Sequence, residues 1–183
     1  MKAPEAVQTE RLLLRRPVPD DAQAIFSRFA SDVRVTRYVG WPRHETIEAT
    51  HAYLSFALEE WKRWPAGPYL IERRDSPGVI GSTGFSYAAE GHASTGYVLA
   101  PDAWGQGHAT EALTAIVTLA KPLGLRRLEA ICHPDNVASL RVLEKCGFTN
   151  EGRLPRHSVF PNLDRNRPLD VLRFARSFSP SSG

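Results

Sequence analysis

The spacing of apolar positions changes several times along the chain, and each change marks an element. Leu12, Leu13 and Leu14 form an aliphatic run inside Arg11 to Arg16, which predicts an opening strand. Pro19 punctuates, and Asp20 or Asp21 stands where it caps a helix carrying Ala22, Ile25, Phe26 and Phe29 at helical spacing. A second helix is expected from Glu45–Thr46, with Ile47, Leu54, Ala57, Leu58 and Trp61 as its apolar stripe; Pro65-Ala66-Gly67-Pro68 stops it. Three antiparallel strands follow at Tyr69 to Arg73, Val79 to Ala88 and about Ala93 to Leu99, with turns at Asp75-Ser76-Pro77-Gly78 and Glu90-Gly91. From Gly107 to Leu123 the helical period returns through Ala109, Ala112, Leu113, Ile116, Val117 and Ala120. Gly124 ends that helix, and Arg126 to Cys132 reads as a strand. Asp135 or Asn136 caps a last helix that runs through Lys145 to Gly147 at the C-cap. Phe148 to about Phe174 reads as two strands joined by a long loop rich in Pro, Asn and Arg, and Ser177 to Gly183 as a disordered tail.

The predicted order is therefore β-αα-βββ-α-β-α-ββ. Its strand–helix–strand crossover requires a parallel pair and a right-handed path. The fold class is α/β: a single mixed, mostly antiparallel sheet of about seven strands with helices on both faces. No repeat or linker divides it, so the chain reads as one domain.

Composition narrows the function. At 183 residues the chain is long enough to bury a full core, and 42% hydrophobic with 23% charged residues excludes disorder. The net charge of +3 comes from scattered basic residues, which argues against a nucleic-acid partner and suits a small phosphate-bearing ligand. Met1 to Glu10 lacks the apolar core of a signal peptide, and no apolar run reaches the ~18–20 residues that cross a bilayer, so no membrane association is expected. Cys132 and Cys146 form no Cys-x-x-Cys pair and read as reduced, packed thiols of a cytoplasmic protein. The six histidines are dispersed, so no metal is expected.

The chemistry concentrates in Leu99-Ala100-Pro101-Asp102-Ala103-Trp104-Gly105-Gln106-Gly107-His108-Ala109-Thr110-Glu111-Ala112, where a strand ends, a glycine-rich turn follows and a helix starts. Amides at a helix start lack internal partners and face outward, and the helix dipole adds positive charge. Gly105 and Gly107 let the backbone approach a bound group without an intervening Cβ. The product is a pyrophosphate cradle that needs no metal. Spacing alone leaves coenzyme A and a dinucleotide both open. A P-loop is excluded, because no Gly-x-x-x-x-Gly-Lys-Ser/Thr string occurs.

Tyr97-Val98-Leu99, Trp104 to Ala112, and Asn136-Val137-Ala138-Ser139-Leu140-Arg141-Val142-Leu143-Glu144-Lys145-Cys146-Gly147-Phe148 together resemble the GNAT acetyltransferase signature. Thr9 to Arg15 and Arg37-Tyr38-Val39-Gly40-Trp41-Pro42 resemble its RimJ/RimL-type branch, so the likeness spans about residues 9 to 176. The resemblance implies an acetyl-CoA-dependent N-acetyltransferase acting on a primary amine, by direct attack in a ternary complex. It implies that the amides of Gly105, Gln106, Gly107, His108, Ala109 and Thr110 bind the pyrophosphate. The Val98-Leu99-Ala100 backbone would pair with the pantetheine arm, Asn136 would hydrogen-bond it, and Ser139 would lie near the thioester sulfur. Lys145 and Arg141 would reach the adenosine phosphates, and a homodimer follows by analogy with the branch.

For the reaction, a backbone amide near Leu99 is expected to donate to the developing oxyanion. Many family members protonate the thiolate with a tyrosine seven residues after the asparagine. Here Leu143 occupies that position, and Ser139 is the substitute the branch suggests. The glutamate often used as base is Ser94 in this chain, which leaves a water chain, His133, His92 or Glu45 as alternatives. Tyr38, Trp41, Phe85 and Tyr87 are expected to line the acceptor pocket. A protein N-terminal amine, a small-molecule amine and an aminoglycoside-like polyamine all remain open as acceptors. Two rivals stay in view: a GNAT-like sensor that holds acyl-CoA without turnover, and an NAD(P)-dependent oxidoreductase using Gly105-Gln106-Gly107 with Glu129 as its acidic partner.

Overall fold

The computed structural model describes residues 1–178. Eight strands form one sheet in the order β1-β2-β3-β4-β5-β6-β8-β7. They are β1 (Ala6–Gln8), β2 (Leu12–Arg15), β3 (Pro68–Arg73), β4 (Val79–Ala89), β5 (His92–Leu99), β6 (Arg127–Cys132), β7 (Thr149–Phe160) and β8 (Asp164–Ser177). The helices are α1 (Ala22–Ile25), α2 (Val33–Thr36), α3 (Ile47–Arg63), α4 (His108–Ala120) and α5 (Val137–Lys145). Every strand pair is antiparallel except β5–β6, the pair that the α4 crossover joins.

Strand alternation sorts the core into two layers. On β3, Tyr69 and Ile71 join Leu12, Leu14, Phe85, Leu113, Ile116 and Leu143 beneath α4 and α5. Leu70 between them turns to the other face, where it meets Ile25 and Phe29 near α1 and Leu54 of α3. Hydrophobic burial on both faces is what holds the sheet between its helices.

The ends of the helices obey their local chemistry. Gly107 precedes α4 in the left-handed conformation, and Asn136 caps α5 by accepting from the Ser139 amide at 3.3 Å. After α5, Gly147 has φ 75° and the Phe148 amide returns to the Leu143 carbonyl, closing a Schellman turn.

Four local expectations change. The sheet gains β1, a three-residue strand too short for a periodicity signal. The helix after Pro19 is not capped by an aspartate side chain: Asp21 accepts instead from the Val18 amide and from Arg15. That helix widens into a π turn over Phe26–Ala30, where the Ser31 amide and hydroxyl both bond the Phe26 carbonyl, and α2 follows behind the Asp32 cap. The long loop expected between the last strands is a tight turn at Pro161-Asn162-Leu163. Pro155 is tolerated because β7 is the sheet edge, and Pro168 because β6 pairs β8 only from Leu172 onward. Ser177 ends β8, and residues 179–183 of the expected tail lie outside the described residues.

Candidate functional site

The parallel pair β5–β6 is the opening in the sheet. Its register covers only His92↔Arg127, Ala93↔Leu128 and Ser94↔Glu129; beyond Ser94 the strands no longer pair. On the other side β5 stays zipped to β4 as far as Gly81↔Leu99, and the Ala100 amide donates to the Ile80 carbonyl at 2.7 Å. By alternation, Ala100 and Val98 turn their backbone groups toward β4, while Tyr97 and Leu99 turn theirs into the opening. The Leu99 carbonyl there accepts from the Trp104 indole at 2.7 Å.

Nine residues after Leu99, α4 begins. Its first backbone bond runs from the Glu111 amide to the Gly107 carbonyl, so the amides of His108, Ala109 and Thr110 have no acceptor within the helix. Gly105 and Gly107 have φ 72° and 80°. A Cβ on Gly105 or on Gly96 would project into open space. Turn, strand edge and helix start therefore fit an extended ligand ending in an anionic group, as coenzyme A does. His108 presents only its backbone there, since its ring is buried and its Nδ1 has no partner among the described residues.

The glycine turn and the start of α4 are braced from the N-terminal segment, a feature the sequence showed only as Thr9 to Arg15. Thr9 Oγ1 donates to Glu111 at 2.6 Å, Arg11 donates to it through its backbone and Nε, and Arg11 Nη1 donates to the Gln106 carbonyl at 2.8 Å. Burial opposes the Glu111 charge, but these donors hold its carboxyl below the ordinary range. Lys145 and Arg141 are exposed on α5.

Ser139 lies in the first turn of α5, and the structure pairs it with a residue whose hydroxyl the sequence reading did not single out. The Tyr97 hydroxyl donates to the Ser139 carbonyl at 2.9 Å and stands 2.7 Å from the Ser139 hydroxyl. Burial pushes the Tyr97 phenol well above its usual value and Cys132 beside it up to about 11, so both keep their protons at neutral pH. The available signal was alternation along β5, which puts Tyr97 on the face that α5 covers. Leu143 is buried in the core.

The four aromatics expected to line one pocket divide between two places. Phe85 and Tyr87 face the α4–α5 layer, Phe85 buried and Tyr87 stacked on Trp64 at 5.2 Å. Trp41 packs on the opposite layer near His44 (5.2 Å), and Tyr38 stacks on His133 at 5.0 Å. His133 also meets Phe160 edge-on, and Asn162 at the hairpin tip donates to the Thr36 and Trp41 carbonyls while accepting from the Arg43 amide. The β7–β8 tip is thus clamped to the segment carrying Tyr38 and Trp41.

The expected bases are placed unevenly. Ser94 is exposed, donates to the Ser86 carbonyl and sits where β5 is still paired. Glu45 is exposed near Arg43 and Arg165, and His92 is exposed at the far end of β5. His133 Nδ1 accepts from the Asp135 amide at 3.2 Å. His44, which the sequence did not single out, is half-buried against Thr50 at 2.8 Å, and burial lowers its pKa.

A family model described as an acetyltransferase (GNAT) domain matches residues 11–149. The chain belongs to the GNAT acetyltransferase family. It is 37% identical over 154 residues to the uncharacterized N-acetyltransferase YoaA of Bacillus subtilis, covering 82% of this chain and 86% of that one. A GNAT-family acetyltransferase from Bacillus anthracis superposes with a TM-score of 0.81 at 26% identity, covering 94% and 98% of the two chains. RimL, a ribosomal L7/L12 alpha-N-protein acetyltransferase solved with coenzyme A, superposes at 0.83 and 24% identity, covering 95% and 98%. The protein is accordingly an acetyl-CoA-dependent N-acetyltransferase. The oxidoreductase reading is not favoured: α4 follows a run of antiparallel strands in a sheet with a single parallel pair, not a doubly wound one. Among the described residues no helix is long and apolar enough to cross a membrane.

Proposed function

We propose that this GNAT enzyme acetylates a peptide or protein N-terminal amine, as the RimJ/RimL-type branch does, with the donor held along β5 and on the start of α4. One observation carries the donor half of the reading: the β5–β6 pairing stops at Ser94, and the strand edge it frees leads to the amides of His108, Ala109 and Thr110, which have no acceptor within α4. Bound acetyl-CoA supplies a thioester whose carbonyl carbon an amine attacks. The Leu99 peptide group receives the pantetheine arm, and its N–H stabilises the developing oxyanion. The amides from Gly105 to Thr110 take the pyrophosphate, and Lys145 takes an adenosine phosphate. Asn136 Oδ1 is engaged at the helix cap, so it is the Nδ2 donor that faces the arm. Ser139 stands at the sulfur.

Tyr38, Trp41 and the hairpin tip form the acceptor side, with alignment of the two substrates supplying much of the rate. The domain, residues 9–176, acts as one unit, and a homodimer in the cytoplasm is the form suggested by the branch. A panel of acceptors tests the assignment: short peptides with free α-amines, small primary amines and an aminoglycoside, each incubated with acetyl-CoA and analysed by mass spectrometry. Acetylation at a peptide α-nitrogen is expected. Exclusive modification of small amines or the aminoglycoside would reject the N-terminal acceptor. Binding of acetyl-CoA with no product from any amine would favour the sensor.

A further inference from the structure

A departing thiolate needs a proton, and the α5 position that carries a tyrosine in many relatives is a buried leucine, Leu143. The structure supplies a phenol from another element. Tyr97 stands on β5 three residues beyond the last β5–β6 pair, and its hydroxyl crosses to the first turn of α5. That hydroxyl has two acceptors within reach, the Ser139 carbonyl at 2.9 Å and the Ser139 hydroxyl at 2.7 Å. The titratable side chains facing it are Cys132 at the end of β6 and Cys146 beyond α5; burial raises both thiols, so neither presents a charge at neutral pH.

We propose that Tyr97 is a positioning residue that sets the Ser139 hydroxyl as the donor to the thioester sulfur. The phenol has a single proton. While it rests on the Ser139 carbonyl, the Ser139 hydroxyl can donate only back to the phenol oxygen or outward. When the phenol proton turns to Ser139 Oγ, that oxygen becomes an acceptor, and its own O–H is released and polarised toward the sulfur. Because burial keeps Tyr97 protonated, it serves as a donor across the working pH range. In the transfer the amine nitrogen pair forms the C–N bond, the C–S pair leaves on sulfur, and the Ser139 O–H proton passes to it. Ser139 is then reprotonated from solvent by one of the two protons the ammonium releases, and the second stays in solution. This assignment rests on the donor site proposed above.

The test needs no acceptor. Calorimetric affinities for CoA and for desulfo-CoA, which lacks the sulfur, are compared in the parent protein, Tyr97→Phe and Ser139→Ala. The parent is expected to prefer CoA over desulfo-CoA by about tenfold, roughly 1.4 kcal/mol for one hydrogen bond to the sulfur. Each variant should lose most of that preference while its desulfo-CoA affinity stays within about twofold. Retention of the full preference in Tyr97→Phe overturns the proposal. An equal loss of affinity for both ligands in that variant also overturns it, because Tyr97 would then only support the fold. If the parent binds neither ligand, the donor site itself is wrong and this role falls with it.

Discussion

The proposed donor and acceptor halves of the site are built by different means. The donor half, from Tyr97 to Thr110, is made mostly of backbone: one freed strand edge, two glycines at positive φ and a helix start. The proposed acceptor half is made of side chains brought together over long sequence distances, with Asn162 reaching Thr36 and Trp41, and Phe160 reaching His133, which stacks on Tyr38. Backbone machinery tolerates sequence change so long as glycines and register survive. Side-chain machinery changes with each substitution, so one family can keep its donor and vary its acceptor.

If that division is real, damage to one half should spare the other. The largest effect is expected from Gly107→Val, which forces a β-branched residue to φ 80° with its Cβ 3.4 Å from Arg11. Acetyl-CoA affinity should fall at least about a hundredfold, roughly 2.8 kcal/mol, beyond a folding cost of about 1–2 kcal/mol. Calorimetry gives the first and thermal unfolding the second; unchanged affinity would remove the cradle from the donor half. Asn162→Ala is the reciprocal lesion. It strips the hairpin clamp and should raise the acceptor KM about tenfold, with acetyl-CoA affinity within about twofold, since the lost hydrogen bonds total only about 1–3 kcal/mol. A matching fall in donor affinity would mean that the halves are coupled.

Glu111→Ala probes the brace between the N-terminal arm and α4. Losing the acceptor of Thr9 and Arg11 should lower the melting temperature by about 2–6 °C, corresponding to about 1–2 kcal/mol in a domain of this size. A variant that melts with the parent would show that the arm does not brace the cradle. The smallest effect concerns pH. His44 has a depressed pKa in the fold, so its contribution is full above the unfolded value of about 6.5 and is lost as pH falls below it. Unfolding followed from pH 8 to 5 should therefore show a decline that His44→Gln flattens; an equal decline in both proteins would assign it elsewhere.

The same division explains what the sequence revealed. The crossover, α4, α5 and the glycine turn were legible because their signals are local: a helical period, a glycine at each boundary and an asparagine cap. The β7–β8 hairpin was misread because Pro155 and Pro168 look like loop residues, and only the strand order reveals that one lies on the edge and the other beyond the reach of β6. The π turn at Phe26–Ala30 and the four-residue α2 leave no pattern long enough to detect. Within the proposed site, the motif pointed to Ser139. Its partner Tyr97 lies 42 residues away in the chain, and the acceptor aromatics could not be sorted by face until the register of β4 was fixed.

Amide hydrogen exchange with and without acetyl-CoA locates the donor site residue by residue. Strong new protection is predicted at Leu99 and across Gly105 to Thr110, with the Asn162 hairpin tip unchanged. Protection confined to other segments, with Leu99 and the start of α4 exchanging as in the free protein, would contradict the proposed donor site.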